Sequence, residues 1–276
     1  MSTVVQDRWD GVCEPIEVLR RHRALTWELT KREITDRYAG QIFGTLWAVG
    51  HPLVMMGVYV FVFAVVLKTK VGGGQAMPHD YTVYLLSGLI PWLAFQEAMS
   101  KAGTVIKSHA NLVKQVVFPV EILPVKGILA AMITQLIASA LLAIYTFASS
   151  GTLPWTWSLV PLLWVCQFMA MAGVCYILAS VGTYFRDVKD FVQIFCTAGV
   201  YAMPVFYLPE WVPDMMKPLI WLNPFSYLGW CFQDACYFGR IEHPWAWIVF
   251  CGGSPFLFLI GYRVFRHLRV CFGSVL

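Results

Sequence analysis

Few residues in this chain have both the type and the spacing to do chemistry. The carboxylates that could serve as acids or bases are Glu97, Glu121, Asp187, Asp190 and Asp234, and each has a cation nearby or a surface position that accounts for it. No two share one apolar segment, as paired acid–base work would require. There is no GxxxxGK[ST] loop to cradle a nucleotide, no HExxH, no GxSxG and no CxxC pair of the kind that holds zinc. His51 is the one titratable group in a long apolar run, and a lone His beside Pro52 is better explained by packing than by a proton relay. Proton- and sodium-coupled transporters place Asp, Glu or His near the bilayer midplane. The apolar segments here hold almost none, which disfavours that class.

What the chain has in abundance is aromatic surface, 16% of residues. An interfacial belt accounts for Trp47, Trp155, Trp157, Trp245 and Trp247. It is a weaker account of Tyr59, Tyr145 and Tyr176, which fall mid-segment and whose hydroxyls need partners. Flat rings with hydroxyls and no fixed charge suit a passing sugar chain, although ordinary helix packing serves equally well for any one of them.

The elements that position these residues are membrane spans. The chain of 276 residues is 58% hydrophobic and only 13% charged, against about 25% for a soluble domain. Thirty residues without a formal charge separate Arg37 from Lys68. As a helix they reach about 45 Å, more than the roughly 30 Å of bilayer hydrocarbon. Further spans are expected near 81–100, 122–148, 159–185, 191–207 and 245–262, the first near 42–67. Glu97 and Lys101 are spaced for a helical ion pair, and Gly40 and Gly44 could mark close helix approach. Residues 1–36 are too charged for a cleavable signal and predict a cytoplasmic segment with an interfacial helix, leaving 37–276 as the transmembrane domain. Residues 208–244, rich in proline and aromatics, predict short half-helices. Cys231 and Cys236 are poorly spaced for a disulfide. Six spans place sixteen Lys/Arg on the side of both termini and four on the other, so both termini are expected in the cytoplasm.

Five stretches, in order, carry a family resemblance: RYAGQIFGTLWAVGHPL at 37–53, LLSGLIPWLAF at 85–95, NLVKQVVFPVEILPV at 111–125, FRDVKDF at 185–191 and WLNPFSYL at 221–228. Together they resemble the membrane subunits of ABC exporters of bacterial polysaccharides, with the O-antigen type most similar and capsule and teichoic acid exporters related. Gln41 stands where that family commonly has Ser. The resemblance implies an all-α integral membrane protein of the type-2 ABC exporter permease fold. It has six transmembrane helices, an N-terminal amphipathic interface helix and re-entrant helices between spans 5 and 6. It implies a homodimer with two copies of a separate ATP-binding subunit, which would carry the ATP and Mg, and no cofactor on this chain. The substrate implied is an undecaprenyl-diphosphate-linked glycan, exported across the inner membrane.

Residue by residue, the resemblance makes 111–118 the coupling helix, with Asn111, Leu112, Val113, Lys114, Gln115 and Val117 facing the ATPase and Arg186 and Asp187 as further contacts. Phe43, Trp47, Tyr59, Tyr201 and Phe206 are the expected substrate path, and Arg32 and Arg37 the expected diphosphate contacts. The alternatives are an ABC exporter of a lipid or drug-like substrate, or a membrane enzyme acting on lipid-linked sugars.

Overall fold

The computed structural model describes residues 14–66, 80–114, 118–208 and 212–275, and among them there are helices and turns but no strand. Two helices precede the first span: α1 over 14–21 and, after a break at His22, α2 (Arg23–Tyr38). The chain turns at Gly40 and Gly44, both with left-handed backbone at φ 77° and 49°, and enters α3 (Trp47–Tyr59) through one 3-10 turn. Those glycines serve the turn. Among the described residues, chain neighbours aside, nothing would meet a Cβ on either, so no close helix approach is found at this pair within the chain. α3 passes through Pro52 and widens into a π-helical stretch, Val60–Val66.

The bundle is built around α4 (Tyr81–Ala102), most of whose residues are buried. Two short helices, α5 (Val105–Ser108) and α6 (Ala110–Val113), follow it. The long helices α7 (Ile122–Ser150) and α8 (Val160–Tyr184) pack on it, and α12 (Pro244–Arg269) packs on α8. Between them lie α9 (Val188–Gly199), α10 (Lys217–Leu222) and α11 (Pro224–Gln233), and α13 (Phe272–Val275) closes the chain. Among the described residues, four helical stretches are long and apolar enough to cross a bilayer: Gly44–Val62, Ile122–Ser150, Trp155–Tyr184 and Pro244–Arg269. α4 has the length, at 22 residues, but carries Glu97 and Lys101.

The expected fifth span, 191–207, differs most. Its helix stops at Gly199, so twelve residues cover only about 18 Å. Gly199 lies under the Trp92 ring, where a Cβ would come within 2.8 Å, and the chain then runs through turns to Pro204. The expected coupling helix is helical only as α6; Gln115 and Val117 lie outside the described residues. The 208–244 region holds two short helices, α10 and α11, and the π-helical turn Asp234–Phe238.

Lipid is as apolar as a Leu side chain, so close packing and hydrogen bonds must hold such helices together. Both are present. At the crossing of α8 and α12, a Cβ on Gly173 would sit 2.4 Å from the Leu257 carbonyl oxygen, and one on Gly261 2.1 Å from that of Gly173. Tyr176 fills the next layer against Tyr262 and Phe265, at centroid distances of 5.6 and 5.0 Å. In the interior, Gln135 Nε2 donates to Gln167 Oε1 at 2.8 Å, and Gln167 Nε2 donates to the Pro91 carbonyl at 3.0 Å. One relay thus joins α7, α8 and the kink of α4. Cys231 and Cys236 are buried free thiols.

Candidate substrate path and coupling surface

Phe43 and Trp47 form an edge-to-face pair, centroids 5.8 Å apart, where α3 begins. Phe43 is largely exposed, and no residue of α3 is buried. Twelve residues on, Tyr59 lies within electrostatic reach of Tyr201, whose ring stacks on Phe206 at 5.8 Å. The turn carrying Tyr201 and Phe206 is fixed from two helices. Tyr81 Oη donates to the Phe206 carbonyl at 2.6 Å, Tyr84 Oη to the Pro204 carbonyl at 3.0 Å, and Gln233 Nε2 to the same carbonyl at 3.1 Å. The structure therefore brings Tyr59, Tyr201 and Phe206 into one neighbourhood and leaves Phe43 and Trp47 as a separate pair. The other two mid-segment tyrosines act in packing: Tyr145 Oη donates to Asp80 Oδ2 at 2.9 Å, and Tyr176 Oη to the Glu121 carbonyl at 3.2 Å.

The expected diphosphate contacts are placed differently from each other. Arg32 is exposed and, among the described residues, pairs with Asp36, at 3.5 Å on its own helix. Arg37 reaches inward as a fork on Glu97, with Nη1 also 3.3 Å from Thr134 Oγ1. Around that pair runs a network spacing alone did not reveal beyond its i,i+4 member. Lys101 Nζ lies 2.8 Å from Glu33 and 3.4 Å from Glu97. Lys126, almost fully buried, donates to Glu33 at 2.9 Å and meets His109 Nε2 at 3.0 Å. Burial would raise the Glu33 carboxyl, but the hydrogen bonds and charges of Lys101 and Lys126 outweigh it and hold it at about 2. The clue in the sequence was Lys126, a cation inside an apolar run with no carboxylate at helical i±3 or i±4 spacing.

Above this network opens a cavity of about 630 Å³ between α3, α4 and α7, charged at the Arg37–Glu97 end and apolar toward Met55, Met56 and Leu89. His51 lines its wall.

The expected coupling residues gather at the same end of the bundle. Asn111 and Lys114 are exposed, and Leu112 and Val113 are half-buried. Arg186 and Asp187 are exposed in the α8–α9 turn. That turn abuts the end of α4, for a Cβ on Gly103 would meet Val188 at 3.4 Å and one on Gly182 the Gly103 carbonyl at 2.0 Å. Beside them a groove of about 550 Å³ is lined by Val18, His22, Val113, Lys114, Glu121 and Arg269. The Arg266–Glu14 and Arg269–Glu121 ion pairs tie the tail of α12 to α1 and to the start of α7. At the opposite end, Asp234 is completely buried. It accepts from His243 N at 2.9 Å, His243 Nδ1 at 2.8 Å and Trp247 Nε1 at 3.0 Å, fixing the start of α12. Asp234 and Glu121 are thus engaged in structure, and Asp187 and Asp190 are exposed with no second carboxylate paired to them, so no acid–base pair is assembled among the described residues.

The chain matches the family model for ABC-2 type transporters over residues 24–236. It is 25% identical over 250 residues to an O-antigen export system permease protein RfbA of Klebsiella pneumoniae, covering 90% of this chain and 93% of the relative. It is 27% identical over 228 residues to the protein of the same name from Myxococcus xanthus, covering 82% and 85%. These relatives are transport permeases rather than enzymes. With a family match across most of its length, and apolar helices of membrane-spanning length in the expected order, the chain belongs to the membrane family of ABC-2 type transporters.

Proposed function

We propose that this chain is the channel-forming subunit of an exporter that moves a lipid-linked, O-antigen-like polysaccharide across the inner membrane, driven by a separate ATPase. The observation that carries the reading is the likeness to O-antigen export permeases over 82–90% of the chain. Two such chains and two ATP-binding subunits make the working unit, and the ATP and Mg belong to those partners. Six segments cross the membrane, with α10 and α11 re-entrant and both termini cytoplasmic. That orientation is supported by the clustering of α1, α2, α5, α6 and the basic tail of α12 at one end. The glycan passes along Phe43, Trp47, Tyr59, Tyr201 and Phe206, and the ATPase docks on α6 and the Arg186–Asp187 turn. The undecaprenyl diphosphate is met by exposed Arg32, and by Arg37 once Glu97 releases it.

The test is co-expression with a candidate ATP-binding subunit from the same genome, reconstitution in nanodiscs, and ATP hydrolysis with and without lipid-linked glycan. A stable two-plus-two complex is expected, with hydrolysis that responds to glycan and loses that response in Leu112→Arg. Failure of any ATPase to co-purify would remove the reading.

A further inference from the structure

His109 stands at the joint between α5 and α6, closing the first and opening the second. Its ring has one protonation state that fits. Nδ1 lies 2.9 Å from the Val105 carbonyl oxygen, which can only accept, so the ring hydrogen is on Nδ1. Ser108 Oγ, 3.0 Å from Nδ1, donates to that same carbonyl at 3.1 Å and leaves the assignment unchanged. Nε2 is then a bare acceptor, and it takes a hydrogen from Lys126 Nζ at 3.0 Å. The Lys126 side chain, on α7, is only 7% exposed and also donates to Glu33 Oε2 at 2.9 Å. One imidazole therefore ties the α5–α6 joint to α7 and, through Lys126, to α2.

A second proton on that ring would have to sit on Nε2, facing an ammonium. The titratable groups around the small cavity at this joint are Glu33 of α2, Lys101 of α4 and Lys126 of α7, with Lys107 close by on α5. Of these Glu33 is the one carboxylate, and Lys101 and Lys126 already share it. Among the described residues, then, no acid is free to receive an imidazolium here, and two cations face to face disfavour the extra charge.

We infer that His109 is a pH-dependent latch on the segment that carries α6: neutral, it fastens the joint to Lys126; protonated, it releases it. The released form binds one proton more, so the latch is complete at high pH and is lost as pH falls. Imidazole changes charge between about pH 8 and 5, a span in which Glu33, held at about 2, keeps its charge. The latch stands on this chain alone. Its effect on transport rests on the reading of α6 as the ATPase dock.

The experiment is hydrogen–deuterium exchange of the full-length chain in nanodiscs at steps from pH 8 to 5, with rates corrected for the intrinsic effect of pH. Protection of the amides over 105–114 should fall about tenfold across that range, with α8 as the unchanged reference. His109→Gln removes the titrating ring and should abolish the pH dependence. Lys126→Met keeps the bulk of the side chain and should hold 105–114 at its low-pH protection throughout. His22 lines the neighbouring groove with Val113, Lys114, Glu14, Glu121 and Arg269, and His22→Gln should respond to pH as the wild type does. In the reconstituted complex, glycan-stimulated hydrolysis should fall with pH by a larger factor in the wild type than in His109→Gln. Exchange that follows this pattern without that difference in hydrolysis would keep the latch and remove α6 as the dock. Protection that does not change with pH, that falls equally in His109→Gln or Lys126→Met, or that loses its response in His22→Gln would overturn the inference.

Discussion

α8 and α3 are both apolar helices of one bundle, yet they are built to opposite ends. More than half of the apolar stretch containing α8 is buried within the chain, and none of the stretch containing α3 is. α8 meets α12 through glycine backbones that nearly touch and through a Tyr176–Phe265 layer with no slack. α3 touches its neighbours across a cavity, and Leu46, Leu53, Val54, Val58 and Phe61 face outward. Helices that pack by shape and small residues become a fixed frame. A helix held by a few side chains across a cavity is free to meet something else, be it lipid, a second copy or a passing substrate.

The largest way to test that contrast is to add atoms where there is no room. Gly173→Leu or Gly261→Val forces side chains into the facing backbone, at 2.4 and 2.1 Å for the first carbon alone. A cost above about 4 kcal/mol is expected, seen as loss of monodisperse protein after solubilisation. Next is the Arg37–Glu97 ion pair, which ties α2 to α4 at the charged end of the cavity. Arg37→Ala or Glu97→Ala leaves a partner charge about three-quarters buried and should destabilise by about 1–3 kcal/mol. The double variant should cost less than the two together, as a double-mutant cycle will show.

A smaller effect concerns pH at the same end. The folded Glu33 carboxyl sits at about 2, below its ordinary 4.5, so its contribution is complete above 4.5 and is lost as pH falls toward 2. The difference in melting temperature between wild type and Glu33→Gln should therefore be constant from pH 8 to 5 and shrink below 4.5. The smallest effect belongs to α3 itself. Leu53→Ala, on the outward face, should change stability of the isolated chain by less than about 0.5 kcal/mol.

What could be read from the sequence follows the range of the interactions. Long apolar runs and their Pro and Gly interruptions are local, and they placed α4, α7, α8 and α12 within a few residues except at the α12 tail, which runs on to Arg269. The helix of the fifth segment, Val188–Gly199, is shorter than the apolar run that carries it. The helix ends where Gly199 must slip beneath Trp92, a contact more than a hundred residues away. The GxxxG at Gly40 and Gly44 matched a spacing, but a left-handed turn uses the same residue for another reason. At the candidate path, Tyr59 was separable from Tyr145 and Tyr176 only once the last two were seen donating to Asp80 and Glu121. The Glu33–Lys126 and Asp234–Trp247 contacts have no periodic signature at all.

The most direct test of the central claim is photo-crosslinking during export. A photoreactive phenylalanine analogue would be placed at Phe43, Tyr59 or Tyr201, and, as the outward-facing control on α12, at Phe256. Labelled lipid-linked glycan should be captured at the first three positions, only while the ATPase is active, and not at Phe256. Capture at Phe256 alone, or equally at all four, would contradict a substrate path along α3 and the turn after α9.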